Sequence, residues 1–471
     1  MNGAAGGDRA RRRAVVIGGG LAGMLAAAAV IPFADDVTIV ERDALPAQPA
    51  SREGLPQGHH AHVLMSGGAK AIEMLLPGTL DRWADAGASK IPLPSGVAAY
   101  ASGGWSRQWR AAHYLIACSR EILDWHLRDL LLADPRIRLL AAAQVRALTG
   151  SARRITGVQV ASREGLEWCI DADLVIDASG RHSQVVDWLT ALSITGVPER
   201  HLNSGLVCAS RIYRALTKND GAPMVQVASA PHTPGPRQAG TLIPIEKARW
   251  MVTLTGSGDA APTDRNDAFV PTALQLPHPM IGQLIARATP LTDVHVSNAT
   301  GNSRRYFEAV PHWPDGLVVV GDAAATCNPA YGQGMSVAAL QACELLRSLA
   351  ATGLCTPGAA HRAQKELARP TNAAWSLATS YDAMYPHTGG AALNPTGRAK
   401  GRYLSWLSQA ASASARAAAA LTQVTTMETS LSRLLRPGTL LAASRGLWAQ
   451  PMTTPPLTDA QRTLLNPDGP T

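Results

Sequence analysis

The sequence predicts an α/β (α+β) chain built from a Rossmann-type nucleotide-binding domain, an inserted β-sheet domain and a C-terminal helical region. Three observations predict it. An apolar run near the N-terminus breaks at a glycine-rich turn and restarts as a helix. The middle of the chain turns to short alternating strands between about Val185 and Val296. Beyond Leu354 it becomes Ala-rich and helical.

Ala14–Ile17 reads as a buried parallel strand that breaks at Gly18-Gly19-Gly20, with a small-residue helix from Leu21 to Ile31 before Pro32. The spacing Gly18-x-Gly20-x-x-Gly23 is the dinucleotide fingerprint in its strand–turn–helix setting. Gly18 makes the tight turn, Gly20 admits a pyrophosphate, and Gly23 lets the helix lie close to the strand. Leu21 and Ala22 open that helix, whose first N–H groups face the phosphates. A second strand, Val37–Val40, ends in Glu41, an acid able to hold both ribose hydroxyls.

The 471 residues carry a net charge of +8, with 5% aromatic and 17% charged residues. Basic residues are not clustered with stacking aromatics, which argues against nucleic-acid binding. The run Arg9-Ala10-Arg11-Arg12-Arg13 reads as a disordered basic tail. Six cysteines without C-x-x-C spacing read as reduced, mostly buried thiols in a cytoplasmic protein. No uninterrupted apolar run of about 18 residues suggests an integral membrane segment.

After Glu41 a polar loop carries Arg52 and His59-His60-Ala61-His62. Zinc needs further ligands and spacings that are absent, so no metal is expected. The loop reads instead as one that presents Arg52 and an imidazole to a cofactor ring. A helix from Gly67 to Leu76 follows, then a hairpin of Val97–Tyr100 and Trp105–Trp109 around Ser102-Gly103-Gly104. The strand Tyr114–Cys118 leads through an N-cap at Ser119 into an amphipathic helix. Arg120 in its first turn opposes the helix dipole and calls for an anionic or carbonyl partner. Leu139–Leu148, Gly157–Ala161 and Glu167–Ile170 read as strands. A further buried strand ends in the turn Asp177-Ala178-Ser179-Gly180.

The inserted domain includes Leu206–Tyr213, Met224–Ala228, Gly240–Ile245 and Trp250–Leu254, with Phe269–Ala288 helical. Then Leu317–Val320 forms a strand that runs into Gly321-Asp322, Pro329 and Gly332-Gln333-Gly334-Met335, followed by a helix from Ser336 to about Leu349. Asp322 can hold a ribitol or ribose hydroxyl, and the glycine loop offers free N–H groups. The implied domains are 10–75, 111–185 and 297–350 for the nucleotide, 76–110 and 186–296 for substrate, and 351–471 as the helical region. Ala411–Ala420 reads as a surface helix, Arg402–Leu407 and Leu431–Arg436 as packing against the body, and the tail from Pro451 as irregular.

From Ala14 to Leu349 these motifs, in this order, resemble the group A flavoprotein monooxygenases of the p-hydroxybenzoate hydroxylase fold. The resemblance implies FAD, with Glu41 on the adenosine ribose, Asp322 near the ribityl-pyrophosphate, and Gly332–Met335 beside the ring. It also implies flavin contacts from Arg42, Arg52 and Arg120, and places Val145, Gly180, Gly321 and Pro329 in the cofactor site. Asp177 is implied in both FAD and nicotinamide-donor binding. Arg52-x-Gly54-x-Pro56-Gln57 with His60 and His62, Ile116-Ala-Cys118-Ser119-Arg120, Trp313-Pro-Asp-Gly316 and Trp375 with Tyr385-Pro386 are similar to the polyene epoxidases of polyether ionophore biosynthesis, the lasalocid- and monensin-epoxidase type.

That likeness implies epoxidation of a polyene polyketide, free or carrier-bound, through a flavin C4a-hydroperoxide. Arg52 and the Gly332–Gln333–Gly334 loop would stabilise the departing flavin alkoxide. Trp105, Trp109, Trp250 and Met251 would line an apolar groove beside His60 and His62. A single fingerprint implies no second NADPH domain, so reducing power comes from transiently docked NAD(P)H or from flavin reduced by a separate reductase, with O2 as co-substrate. Aromatic hydroxylation, geranylgeranyl reductase-like reduction and a non-catalytic flavin-binding role remain alternatives. Halogenation is disfavoured, because Trp105 and Trp109 stand four apart without a Trp-x-Trp-x-Ile-Pro run.

Overall fold

The computed structural model describes residues 11–101, 104–217, 221–230, 237–384, 389–390, 395–446 and 452–465. Its first core is a five-stranded sheet in the order Leu317–Val319, Leu174–Asp177, Arg13–Ile17, Asp36–Val40, Ile137–Leu140. Every neighbouring pair is parallel. Strands covered on both faces need continuous apolar sequence, which residues 14–17 and 174–176 and the strand Leu317–Val319 have, while the edge strand Ile137–Leu140 exposes Arg138. The helix Leu21–Val30 is buried along its length except at Ala22. Its alanines let it lie between the sheet and a long helix, Gly334–Thr352, which packs in turn on Ala359–Asp382.

Arg13 opens the first strand and the Arg12 amide donates to Asp35, so this part of the basic run is ordered; Arg9 and Ala10 lie outside the described residues. The single strand expected over Leu139–Leu148 is two. The chain turns at Ala142, which takes a left-handed φ of 56°, and Ala143–Gly150 starts a separate antiparallel sheet with Ile155–Ser162 and Glu167–Asp171. Trp83 and the helix Val185–Ala191, expected largely with the second domain, are packed in the first core.

The second domain is a seven-stranded sheet in the order His295–Ser297, Leu206–Arg214, Arg249–Ser257, Gln238–Ile245, Met224–Ala228, Val97–Ala101, Gly104–Trp105. Only Gly104–Trp105 of the expected second hairpin arm is strand, and Ser102 and Gly103 lie outside the described residues. Side chains alternate between faces. Ala209, Val225, Leu242, Trp250, Val252 and Leu254 turn outward against two helices, Phe269–Leu274 and Met280–Ala286. The single helix expected there breaks at the Pro277 and Pro279 segment. Met224, Ile243, Ile245 and Met251 turn inward, against a small sheet of Leu64–Met65, His113–Ala117 and Ser89–Leu93.

The C-terminal helices Pro395–Ala411, Ala415–Thr425 and Pro437–Gly446 form a third core around Leu404, Leu407, Ala417, Ala420 and Leu434. Ala411–Ala420 is therefore not one surface helix: it breaks before Ser414, whose side chain caps the next helix, and three of its alanines are buried. The tail is not irregular throughout. Met452 pairs with Trp105, and Asp459–Leu465 is a helix whose Leu465 enters the second core. No helix among the described residues is long and apolar enough to cross a membrane. The six cysteines are all free, with Cys118, Cys208 and Cys343 buried.

Candidate functional site

Three strand ends lie side by side at the carboxyl edge of the parallel sheet, where open α/β sheets bind ligands. Ile17 is in register with Asp177, and Asp177 with Val319. The turns that follow touch one another. A Cβ on Gly23 would stand 1.8 Å from the Gly18 carbonyl oxygen, and one on Gly321 would stand 2.8 Å from the Cβ of Ala22. Gly18 takes a φ of +100° and packs against Ala178. Gly20 has nothing within 4 Å of its Cβ position, an open cradle in front of the unpaired first-turn amides of the Leu21–Val30 helix. The three motifs read separately in the sequence thus form one site.

Asp177 is fully buried and accepts from the Ser179 amide at 3.0 Å, the Ser179 hydroxyl and the Ser183 hydroxyl. Burial pushes its carboxyl up while these hydrogen bonds and Arg305 pull it down. Its carboxylate shapes the turn, leaving Gly180, with open space around it, at the surface of the site. Asp322 is different. It makes no side-chain hydrogen bond among the described residues, and burial raises its pKa against the charges of Arg181 and Arg120.

Glu41 is 5% exposed. Its Oε2 accepts from the Gly19 amide at 2.7 Å and from Arg52 at 2.9 Å, and its Oε1 accepts from the Asp43 amide at 2.9 Å. One lone pair on Oε1 is left for a ligand hydroxyl. Arg52 was expected beside the cofactor ring. Its two terminal nitrogens lie at the nucleotide turn, on Glu41, the Gly19 carbonyl at 3.2 Å and Asp43 at 3.3 Å, while its Nε is buried without a partner. The acids at the end of the second strand form a stronger anchor for it than an open cleft. Arg42 is exposed, with Asp43 3.9 Å away. Arg120 finds the partner its position required one turn on, at Asp124, 2.7 Å. Ser119 sits at the N-cap without capping through its side chain, and its amide donates to Glu246. Arg52 and Arg120 line one cleft with Ser51, Leu55 and His59. Val145 is 3% exposed and part of the first core.

In the second glycine loop, Gly332 adopts a φ of +64°, and its own amide is taken by the Pro329 carbonyl at 3.0 Å. The free donors are therefore Gly334, Met335 and Ser336, since the helix starts at Gly334, two residues earlier than expected. Pro329 is exposed, Met335 half-buried and Gln333 buried, with its Nε2 on the Thr425 carbonyl and its Oε1 without a partner. A Cβ at Gly332 would stand 3.0 Å from Val63 and 3.6 Å from Met65, so the loop abuts the apolar cluster packed under the seven-stranded sheet.

On that sheet's inner face, Met251 is in register with Ile243 and Ile212. The next rung is polar: Gln226 pairs with Thr241, Thr241 with Thr253, and Thr253 with Ser210. His60 Nδ1 meets Ser210 at 2.8 Å, and Ser210 meets Thr253 at 2.6 Å. His62 Nδ1 bonds the His60 carbonyl at 2.8 Å, and its Nε2 is buried without a partner. Both histidines are held neutral: burial lowers each to about 4, helped by His59 at His60 and by Arg120 at His62. His59 stacks on His295 at 4.1 Å. Trp105 and Trp250, expected to line a groove, are instead in the outward core at 0% and 1% exposure, because residue 250 alternates with 251. Met251 does face inward. Trp109 lies apart from the sheet, its indole N–H on the Ala411 carbonyl at 3.1 Å.

Sequence reasoning missed the group that fixes the glycine loop. Asp382, fully buried, accepts from Arg237 at 2.8 Å, Tyr331 at 2.6 Å, Asn302 at 2.6 Å and Asn328 at 3.1 Å. Only Asn328 and Tyr331 are close in sequence; Arg237, Asn302 and Asp382 itself lie far from them in the chain. Tyr385 and Pro386 lie outside the described residues.

A family profile for an FAD binding domain matches residues 106–360, and one for an FAD dependent oxidoreductase matches residues 14–183. Protein Rv3254 of Mycobacterium tuberculosis is 31% identical over 385 residues, 78% of this chain and 79% of that protein. Among solved structures, the flavin-dependent brominase Bmp2 superposes with a TM-score of 0.64 at 16% identity, covering 92% of this chain and 98% of its own. PqsL, a probable FAD-dependent monooxygenase from Pseudomonas aeruginosa, gives 0.56 at 17%, covering 79% and 97%. At such identities these two likenesses are of fold alone.

Proposed function

The chain belongs to the FAD binding domain family, and from that premise we propose that it is an FAD-dependent monooxygenase that epoxidises alkenes of a linear polyene polyketide. The residues fit the cofactor. The open cradle at Gly20, the free amides of two helix N-termini, the remaining Glu41 lone pair and the unpartnered Asp322 carboxylate are what a dinucleotide with a ribityl chain requires. When bound, FAD supplies the activation of dioxygen.

What the chain itself does is bind, orient and exclude water. The observation that carries the epoxidase reading is the placement of Gly332 beside Val63 and Met65, which sets the glycine loop against apolar rather than charged surroundings. Met224, Ile243 and Met251 pack in that cluster, while Gln226 and Thr241, half-buried and without side-chain partners among the described residues, can orient a hydroxyl or carbonyl of a substrate beside it. The amides of Gly334 and Met335 are the donors available for negative charge beside the loop. An alkene needs no base. Reductant is NAD(P)H docked transiently or a separate flavin reductase.

Aromatic hydroxylation is the second reading, favoured by the unpartnered Nε2 of His62, a group that can take a phenol proton. A histidine lowered to about 4 is a weak base, which favours the alkene. The test is turnover of FAD-loaded protein with reductant and oxygen on candidate polyenes and phenols, followed by mass analysis. Oxygenated polyene supports the proposal; brominated, hydrogenated or exclusively phenolic products overturn it.

A further inference from the structure

A cavity of about 300 Å³ lies between the strand Ser89–Leu93, the segment 109–113 and the helix Ala415–Thr425. That volume is at the lower end of small-molecule sites, which run from about 300 to about 1,000 Å³. Leu93, Pro94, Trp109, Ala415 and Ala419 make it apolar. The hydrogen bond from Trp109 to Ala411 fixes the indole as a wall. Ala415 and Ala419, one helical turn apart, leave space that any larger side chain would fill.

The lining also carries a cation. Arg110 is exposed and has neither an ion pair nor a side-chain hydrogen bond among the described residues. Glu428 stands 3.5 Å from His113 of the lining but is bound by Lys70 at 2.7 Å rather than by Arg110.

The cavity adjoins the glycine loop along two elements. Thr422 lines it, and Thr425, less than a turn further, holds Gln333 on its carbonyl. His113 lines it, and Leu115, two residues along the strand, pairs with Met65, which touches the Gly332 position. Thr422 to Thr425 is about 5 Å of helix and His113 to Leu115 about 7 Å of strand, before the contacts to Gln333 and Met65.

We propose that this cavity is a binding subsite for the carboxylate-bearing end of a long unsaturated chain. The first carbons lie against Trp109, Leu93 and the two alanines, the carboxylate pairs with Arg110, and the rest of the chain extends toward Gly332. The assignment of this ligand as substrate rests on the polyene reading above; the subsite itself does not.

The probe is cis-parinaric acid, a fluorescent polyene carboxylate, titrated into FAD-loaded protein, with its methyl ester as the uncharged control. Ala419→Trp fills the cavity and is expected to weaken parinarate binding about tenfold or more, with FAD content and flavin absorbance unchanged. Arg110→Ala is expected to weaken binding of the acid several-fold and leave the ester unaffected. Parinarate affinity that is the same in Ala419→Trp as in the parent, or equal affinity for acid and ester in the parent, overturns the subsite. Product analysis on the parent protein separates the two ideas. Loss of binding on plugging without any oxygenated product keeps the subsite and removes the epoxidase reading. Epoxidation with no effect of plugging on parinarate affinity does the reverse.

Discussion

The phenol of Tyr331 donates a 2.6 Å hydrogen bond to Asp382, fastening the glycine loop to the last residue of the Ala359–Asp382 helix. The same carboxylate takes Arg237 from the seven-stranded sheet domain and Asn302 and Asn328 from the strands and loop beside it. Loop, sheet domain and C-terminal region therefore share one buried anion. Asp382→Ala is expected to cost about 3 kcal/mol or more, because a buried cation and several donors lose their acceptor together. Asp382→Asn, which keeps the shape and part of the accepting capacity, should cost less. Denaturant unfolding and flavin content of the purified variants check this; parent-like midpoints for both would show that the network does not hold the loop.

Gly23→Ala places a methyl 1.8 Å from the Gly18 carbonyl, with backbone rather than a flexible side chain in the way. The turn must open, at a cost of roughly 1–3 kcal/mol, and the amides that face the phosphates move with it. The protein should purify folded but colourless. Full flavin occupancy in this variant would mean that the turn is not the phosphate cradle.

Arg52 separates two accounts of the site. With its guanidinium on Glu41, Asp43 and Gly19, Arg52→Ala should weaken FAD binding about tenfold or more by leaving Glu41 buried without its cation. Once loaded, the variant should partition reductant between product and peroxide as the parent does. Unchanged FAD affinity with increased peroxide release would return Arg52 to the ring.

Much of this was legible in the sequence, for a physical reason: backbone-driven features are local. The strand–turn–helix at Gly18–Gly23 and the strand ends at Asp177 and Gly321 are written in consecutive residues, and their adjacency follows from parallel pairing. Side-chain destinations are not local. The pairing of Arg52 with Glu41 and Asp43 runs across a loop, so no local pattern announces it. Trp105 and Trp250 were misassigned because an alternating strand does not reveal which face meets the cofactor domain. Asp382 was invisible because its partners come from three separate stretches of the chain. The tail after Pro451 looked irregular by composition, yet Met452 and Leu465 find apolar surface on the second domain.

The two neutral histidines set an acid limit on stability. His60 and His62 are lowered from 6.5 to about 4 in the folded protein, so between those values the unfolded chain binds protons that the folded one refuses. Stability should thus be flat above about pH 6.5 and fall as pH drops toward about 4, by up to about 3 kcal/mol for each histidine, less for the more open His60. Replacing His60 by Asn and His62 by Gln should flatten that part of the curve measured by urea unfolding. An identical pH dependence in parent and double variant would contradict the burial argument.

The central claim is that the three converged turns would hold FAD, whose chemistry would supply activated oxygen, and that an alkene would bind beside the Gly332 loop. It is tested most directly by turnover of FAD-loaded protein with a linear polyene under isotopically labelled dioxygen, followed by mass analysis of the product. The account predicts epoxide carrying one labelled oxygen atom for each alkene consumed. Epoxide oxygen derived from water, or reductant consumed to peroxide with the polyene untouched, would contradict it.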